Sequence, residues 1–201
     1  MKRALVAIAG VLLLSGCTTT LTRSELAAEY YNLGTAVFDL GELDRSAQYL
    51  TRALELDETL ARASYNLARV YILQRRVDEA ETLLLELLAE DPQNTTVLAT
   101  LAYSAYSVGE IERAAELYDR VLAIDPGNVG ALYNRAILAE ESDDDPLAAT
   151  LLRQALEVAG TDKEVLQRLA VVEERLGNTD SAIAALETLS ESGEAESASL
   201  L

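Results

Sequence analysis

Apolar side chains recur along this chain at the spacing of an α-helix. In residues 95–128, Leu98, Leu101, Ala102 and Ala105 form an i, i+3, i+4, i+7 stripe, which resumes after Gly109 at Ile111, Ala114, Leu117, Tyr118, Val121 and Leu122. That spacing gathers the apolar groups on one helical face. The stretch predicts a helix, a tight turn and a second helix. No segment sustains the strict alternation of a half-buried strand, so no strand is expected.

The same pattern repeats. Gly34, Ala68, Ala102, Ala136 and Ala170 stand 34 positions apart, and Ala80, Ala114, Ala148 and Ala182 form a second ladder at the same period. Small side chains at fixed points let two helices approach closely. Larger apolar groups keep the register: Leu33, Leu67, Leu101 and Leu169; Leu50, Leu84, Tyr118, Leu152 and Leu186; Ala53, Leu87, Val121, Ala155 and Leu189. Asp91-Pro92 and Asp125-Pro126 close two successive units, and Gly41, Gly109 and Gly177 mark a mid-unit turn where φ > 0 suits glycine. Arg75 and Asp143 take that place in the other units. A fixed period of this length predicts an all-α stacked array with units at 27–60, 61–94, 95–128, 129–162 and 163–196.

The runs YYNLGTAVFDLGELDRSAQYLTRALELDE and SYNLARVYILQRRVDEAETLLLELLAEDP resemble the tetratricopeptide repeat family. The likeness extends over five units, 27–190, and implies a right-handed α-solenoid of about five helix-turn-helix repeats. This chain departs from the pattern in places. It has no tryptophan, and Arg135 interrupts the leucine ladder, which predicts looser packing in the fourth unit. The family's usual capping helix is replaced by a Ser-rich acidic stretch, 191–201, expected to be a flexible tail. An uncovered last face is expected to fray, meet a partner or meet a second copy.

The chain opens with the positive Met1-Lys2-Arg3 and an apolar run from Ala4 to Leu14, too short for the ~20 residues that span a bilayer. Leu14-Ser15-Gly16-Cys17 follows and resembles the lipobox of bacterial lipoprotein signal peptides. The resemblance implies cleavage after residue 16, acylation of Cys17, and a short tether over 17–26. The plainer reading is an ordinary secretory signal cut near the same point. Cys17 is the chain's one cysteine, and lipidation gives it a fate. Thr18 in the next position, rather than aspartate, favours the periplasmic side of the outer membrane over the inner one.

Composition narrows the chemistry. The chain carries 34 acidic and 16 basic residues, net −18, which repels phosphate backbones and argues against nucleic-acid binding. There is no histidine, the usual general base near neutral pH and the commonest transition-metal ligand. Nothing pairs a nucleophile with a base, and no Gly-rich phosphate loop occurs, so neither catalytic residues nor a cofactor are expected. The acidic run from Glu140 to Asp145 lacks the spacing of a calcium loop, and no metal site is assigned. It reads as a solvated turn in which Asp145 caps a helix opened by Pro146.

In the resembled family the first helices of the units line a concave groove that receives peptides. The matching positions here are Tyr31, Asn32, Thr35, Tyr65, Asn66, Arg69, Thr100, Tyr103, Tyr133, Asn134 and Ile137. Asparagine both donates to and accepts from a peptide backbone, and tyrosine offers contact area at low rotamer cost. Each tyrosine fits equally a role in packing against the next unit. Arg62 and Arg69 share a helical face, with Arg75 and Arg76 beyond, and suit either a carboxylate of a partner or acids of neighbouring units. The family's two-carboxylate clamp finds only Asn66 here and is not expected. The whole implies a lipid-anchored envelope scaffold for a protein or peptide partner, similar to repeat lipoproteins of pilus, secretion or outer-membrane machines. The alternative is a ligand-handling lipoprotein that partners a small-molecule transporter, for which a closed apolar channel is the expected mark.

Overall fold

The computed structural model describes residues 21–199. Among them run ten α-helices and no strand: α1 Arg23–Asp39, α2 Leu43–Leu56, α3 Ala61–Leu73, α4 Val77–Glu90, α5 Thr95–Ser107, α6 Ile111–Ile124, α7 Val129–Glu141, α8 Asp145–Ala159, α9 Lys163–Arg175 and α10 Thr179–Ser199. Residues 1–16 and Cys17 lie outside the described residues.

Local chemistry sets the helix ends. Asn94, Asn128 and Asp162, 34 residues apart, each place a side-chain oxygen 3.0–3.1 Å from the backbone N–H three residues on, at the start of α5, α7 and α9. Each such cap is worth about 1 kcal/mol. α1 begins with a capping box, in which Thr22 Oγ1 accepts from the Glu25 N–H at 3.2 Å and the Glu25 carboxylate accepts from the Thr22 N–H at 2.7 Å. At α8 the cap is Asp144, which accepts from the Leu147 N–H at 3.1 Å, and not Asp145. Asp145 is already helical and turns its carboxylate to Arg175.

Every first helix ends in the same way. Gly41, Arg75, Gly109, Asp143 and Gly177 have φ of +76°, +62°, +83°, +58° and +76°. The next residue then donates back across the turn, as Glu42 N–H does to Val37 C=O at 3.0 Å and Asp144 N–H to Ala139 C=O at 2.8 Å. This Schellman closure needs a left-handed residue, and in two units a non-glycine supplies it.

The helices stack in sequence order. Successive helices make the main contacts, and α1 with α3 and α3 with α5 make lesser ones. All five members of the first small-residue ladder and all four of the second are buried. Ser46 extends the second ladder by one unit, buried with its hydroxyl donating to Gly34 C=O at 2.8 Å. Leu50, Leu84, Tyr118 and Leu152 are at most 2% exposed, whereas Leu186, at the same register in α10, is 52% exposed. At the other end Leu33 is 47% exposed, while Leu67, Leu101 and Leu169 are buried. Interior members are sandwiched between units, and terminal ones have one neighbour. Arg135 does not leave its place empty: it is half-buried and donates from Nε to Asp119 Oδ1 at 2.9 Å.

The segment from residue 191, expected as a tail, continues α10 to Ser199. Glu191, Glu194, Ala195, Glu196 and Ala198 are good helix formers and outnumber the three serines and Gly193 of residues 191–199.

Candidate peptide-binding groove

The first helices present one face to a shallow hollow. Its walls come from Phe38 on α1, Tyr65, Arg69, Ile72 and Leu73 on α3, Ala99, Thr100 and Tyr103 on α5, and Asn134 on α7, around about 460 Å³ open to solvent. Thr95, Thr96 and the cap Asn128 complete it, with Tyr118 of α6 at its margin. Five of the expected groove residues therefore meet here: Tyr65, Arg69, Thr100, Tyr103 and Asn134.

Four others, Tyr31, Thr35, Asn66 and Tyr133, serve the joints between units. Asn66 donates from Nδ2 to Tyr31 Oη at 3.4 Å and to Thr35 Oγ1 at 3.3 Å, and Thr35 in turn donates to Tyr31 C=O at 3.0 Å. Arg168 donates from Nε to Tyr133 Oη at 3.2 Å. Tyr65 Oη and Thr100 Oγ1 lie 3.1 Å apart, so this tyrosine both ties units and lines the hollow. These bonds link residues 31 or 35 positions apart, one unit to the next. Asn32 is exposed on α1 and does not line the hollow. Ile137 borders a separate depression beside Glu140, Glu141 and Arg175.

That depression is occupied by ion pairs. Glu140 accepts from Arg168 at 2.9 Å and from Arg175 at 2.7 Å; Asp145 accepts from Arg175 at 2.6 Å; Tyr106 donates to Glu141 at 2.6 Å. The Arg175 guanidinium holds the Asp145 carboxyl below its usual range. Two arginines of the following unit thus neutralise part of the acidic turn's charge.

The basic residues of α3 behave differently. Arg62 lies over the Tyr31 ring at 4.5 Å, and Arg69 lies 5.0 Å from the centre of Phe38 and 5.9 Å from that of Tyr65. Arg75 donates to Ser107 C=O at 3.2 Å, and Arg76 combines a ring contact with Tyr71 and a 3.0 Å pair with Glu79. Phe38, Ile72, Leu73, Thr95, Thr96, Ala99, Tyr118 and Asn128 are wall residues that sequence reasoning missed. Phe38 and Leu73 carried a usable signal: both stand at the last turn of a first helix, where an apolar residue has no following turn to cover it. Tyr118 had one too, as the lone polar tip in a leucine ladder. Its phenol is pushed up to about 12, first by burial and then by the neighbouring Tyr103, with Asn134 beside it pulling the other way.

Comparison with known proteins agrees with the repeat fold. Tetratricopeptide repeat profiles match residues 37–102, 100–164 and 164–192. The chain is 32% identical over 148 residues to a protein of Treponema pallidum (strain Nichols) described as an uncharacterized lipoprotein, the match spanning 73% of this chain and 76% of that one. It is 26% identical over 148 residues to the O-mannosyl-transferase Tmtc3 of Drosophila melanogaster, but spans only 16% of that longer protein. Among solved structures, the fold is similar to that of PilF from Pseudomonas aeruginosa, with a TM-score of 0.74 at 19% identity over 84% of this chain and 77% of the other. It is also similar to that of MamA from Desulfovibrio magneticus RS-1, with a TM-score of 0.71 at 14% identity over 84% and 96%.

Proposed function

Because the chain belongs to the tetratricopeptide repeat family, we propose that it is a lipid-anchored scaffold of a bacterial cell envelope that holds a partner polypeptide along its first helices. One observation carries the reading: the open groove in which Tyr103, 48% exposed, and Leu73, 51% exposed, leave apolar area in water beside polar side chains suited to main chain. A surface of this kind gains from covering by an extended segment, and repeat arrays use such hollows as binding surfaces. The openness of the groove favours a polypeptide over the small molecule of a transporter system.

Anchoring rests on Cys17. Among the described residues no helix is long and apolar enough to cross a membrane. Two or more acyl chains on Cys17 supply stable attachment, each buried CH₂ contributing ~0.8 kcal/mol. Thr18 supports the outer membrane, and the work done there is assembly of an envelope complex such as a pilus, secretion or outer-membrane machine.

Site-specific photocrosslinking tests the groove. A photoreactive residue at position 103 is expected to give a discrete adduct in intact envelopes, and the same residue at the exposed Leu85 on α4 is not. Equal yields from the two positions overturn the concave-face reading.

A further inference from the structure

We propose that the groove selects an extended segment in which an aspartate or glutamate side chain stands beside a bulky apolar residue, with Arg69 as the group that reads the acid. The inference rests on the concave-face reading above and names the chemistry of its partner.

Charge accounting singles out Arg69. In a chain of net −18, most arginines have an acid to hand: Arg76 has Glu79, Arg113 has Glu81, Arg135 has Asp119, Arg153 has Glu173, Arg168 has Glu140 and Arg175 has Asp145. Arg23, Arg62, Arg69, Arg75 and Arg120 have no carboxylate within 4.0 Å among the described residues, and of these only Arg69 lines the groove. Arg23 and Arg75 donate to main-chain carbonyls, whereas Arg62 and Arg69 each rest on an aromatic ring. A ring face steadies a guanidinium electrostatically without using its N–H donors. Arg69 is exposed and lines the groove, so a positioned cation with free donors faces the place where a segment lies. A carboxylate is its geometric complement and accepts from it in pairs.

The rest of the molecule makes this selective. A strongly negative surface repels acidic segments everywhere except where an arginine stands unneutralised. Phe38, Leu73 and Tyr103 flank Arg69 and supply the apolar contact for the neighbouring side chain. The groove takes its walls from α1, α3, α5 and α7 and is open to solvent. An extended segment laid across these helices continues past Arg69, so the acid is a side chain within the segment and not the terminus of a partner.

The test uses the full chain, purified in detergent, and a phage library of random heptapeptides fused at their C-terminal ends. Selected sequences are expected to be enriched in Asp or Glu next to Leu, Ile, Phe or Tyr. A selected peptide, synthesised with a C-terminal amide, is expected to bind as well as its free acid. Changing its acid to the matching amide, or Arg69→Gln, is expected to weaken binding about tenfold or more, and the two changes together no more than either alone. Arg120→Gln on α6 is the charge control and is expected to leave affinity unchanged. Circular dichroism melts of each variant guard against misfolding. Peptides selected without acid enrichment, or losses that simply add, overturn the role of Arg69 and leave the groove standing. A library that yields no binder overturns both.

Discussion

At the scale of single residues, the turns after the first helices hold stored strain. Arg75 and Asp143 sit at φ of +62° and +58° where the other units use glycine. A left-handed residue with a Cβ costs about 1–2 kcal/mol, and the greater freedom of glycine in the unfolded chain returns part of any gain. Arg75→Gly is expected to raise stability by about 0.5–1 kcal/mol in thermal or urea melts. Arg75→Ala loses the same bond to Ser107 but keeps the strain, so it is expected to bring no gain. Tyr118 offers a second handle. Its folded-state pKa, about 12, exceeds the unfolded value near 10, so the group favours the fold fully below pH 10. That contribution is lost as pH rises from about 10 to 12, to the extent of about 3 kcal/mol. Tyr118→Phe is expected to remove this step from an alkaline stability profile, and an unchanged profile counts against burial as its source.

At the scale of helices, close approach explains why the small-residue ladders are small. A Cβ added to Gly34 lies 2.7 Å from Leu50 Cγ and 3.3 Å from the Leu50 backbone nitrogen, so α1 cannot keep its distance from α2. Ala102 is fully buried in the third unit. Ala102→Leu is expected to cost about 1–3 kcal/mol by overpacking, read from chemical denaturation. Ser104 breaks a register otherwise held by Val70, Leu138 and Val172, and its buried hydroxyl has no partner among the described residues. Ser104→Ala is expected to stabilise the fold by about 1 kcal/mol, and a comparable loss instead points to an undetected bond. The ladders were legible in the sequence because period and residue size alone encode them. The division of labour among the tyrosines was not. Whether Tyr31 or Tyr133 faces the groove or the next unit depends on which hydroxyl finds a partner one unit on, and Asn66 and Arg168 decide that. Arg69 was visible as a cation on the right face; that its neighbours are rings and not acids is a fact of packing. The shift of the α8 cap from Asp145 to Asp144 is a one-residue matter, settled by the left-handed turn at Asp143.

At the scale of the whole molecule, the proposed anchor at Cys17 and the proposed groove are separate parts of one chain. Cys17→Ser is expected to move the protein from the membrane to the soluble fraction while leaving its helical spectrum and melting temperature unchanged. Retention of the variant at the membrane argues for a partner, and not acyl chains, as the tether. The stacking itself has a mechanical consequence. Since each helix leans mainly on those next to it in sequence, bending is shared out as slight rotations across many hinges. An array built this way is expected to flex like a watch spring, its inner curvature opening or tightening without any one joint giving way.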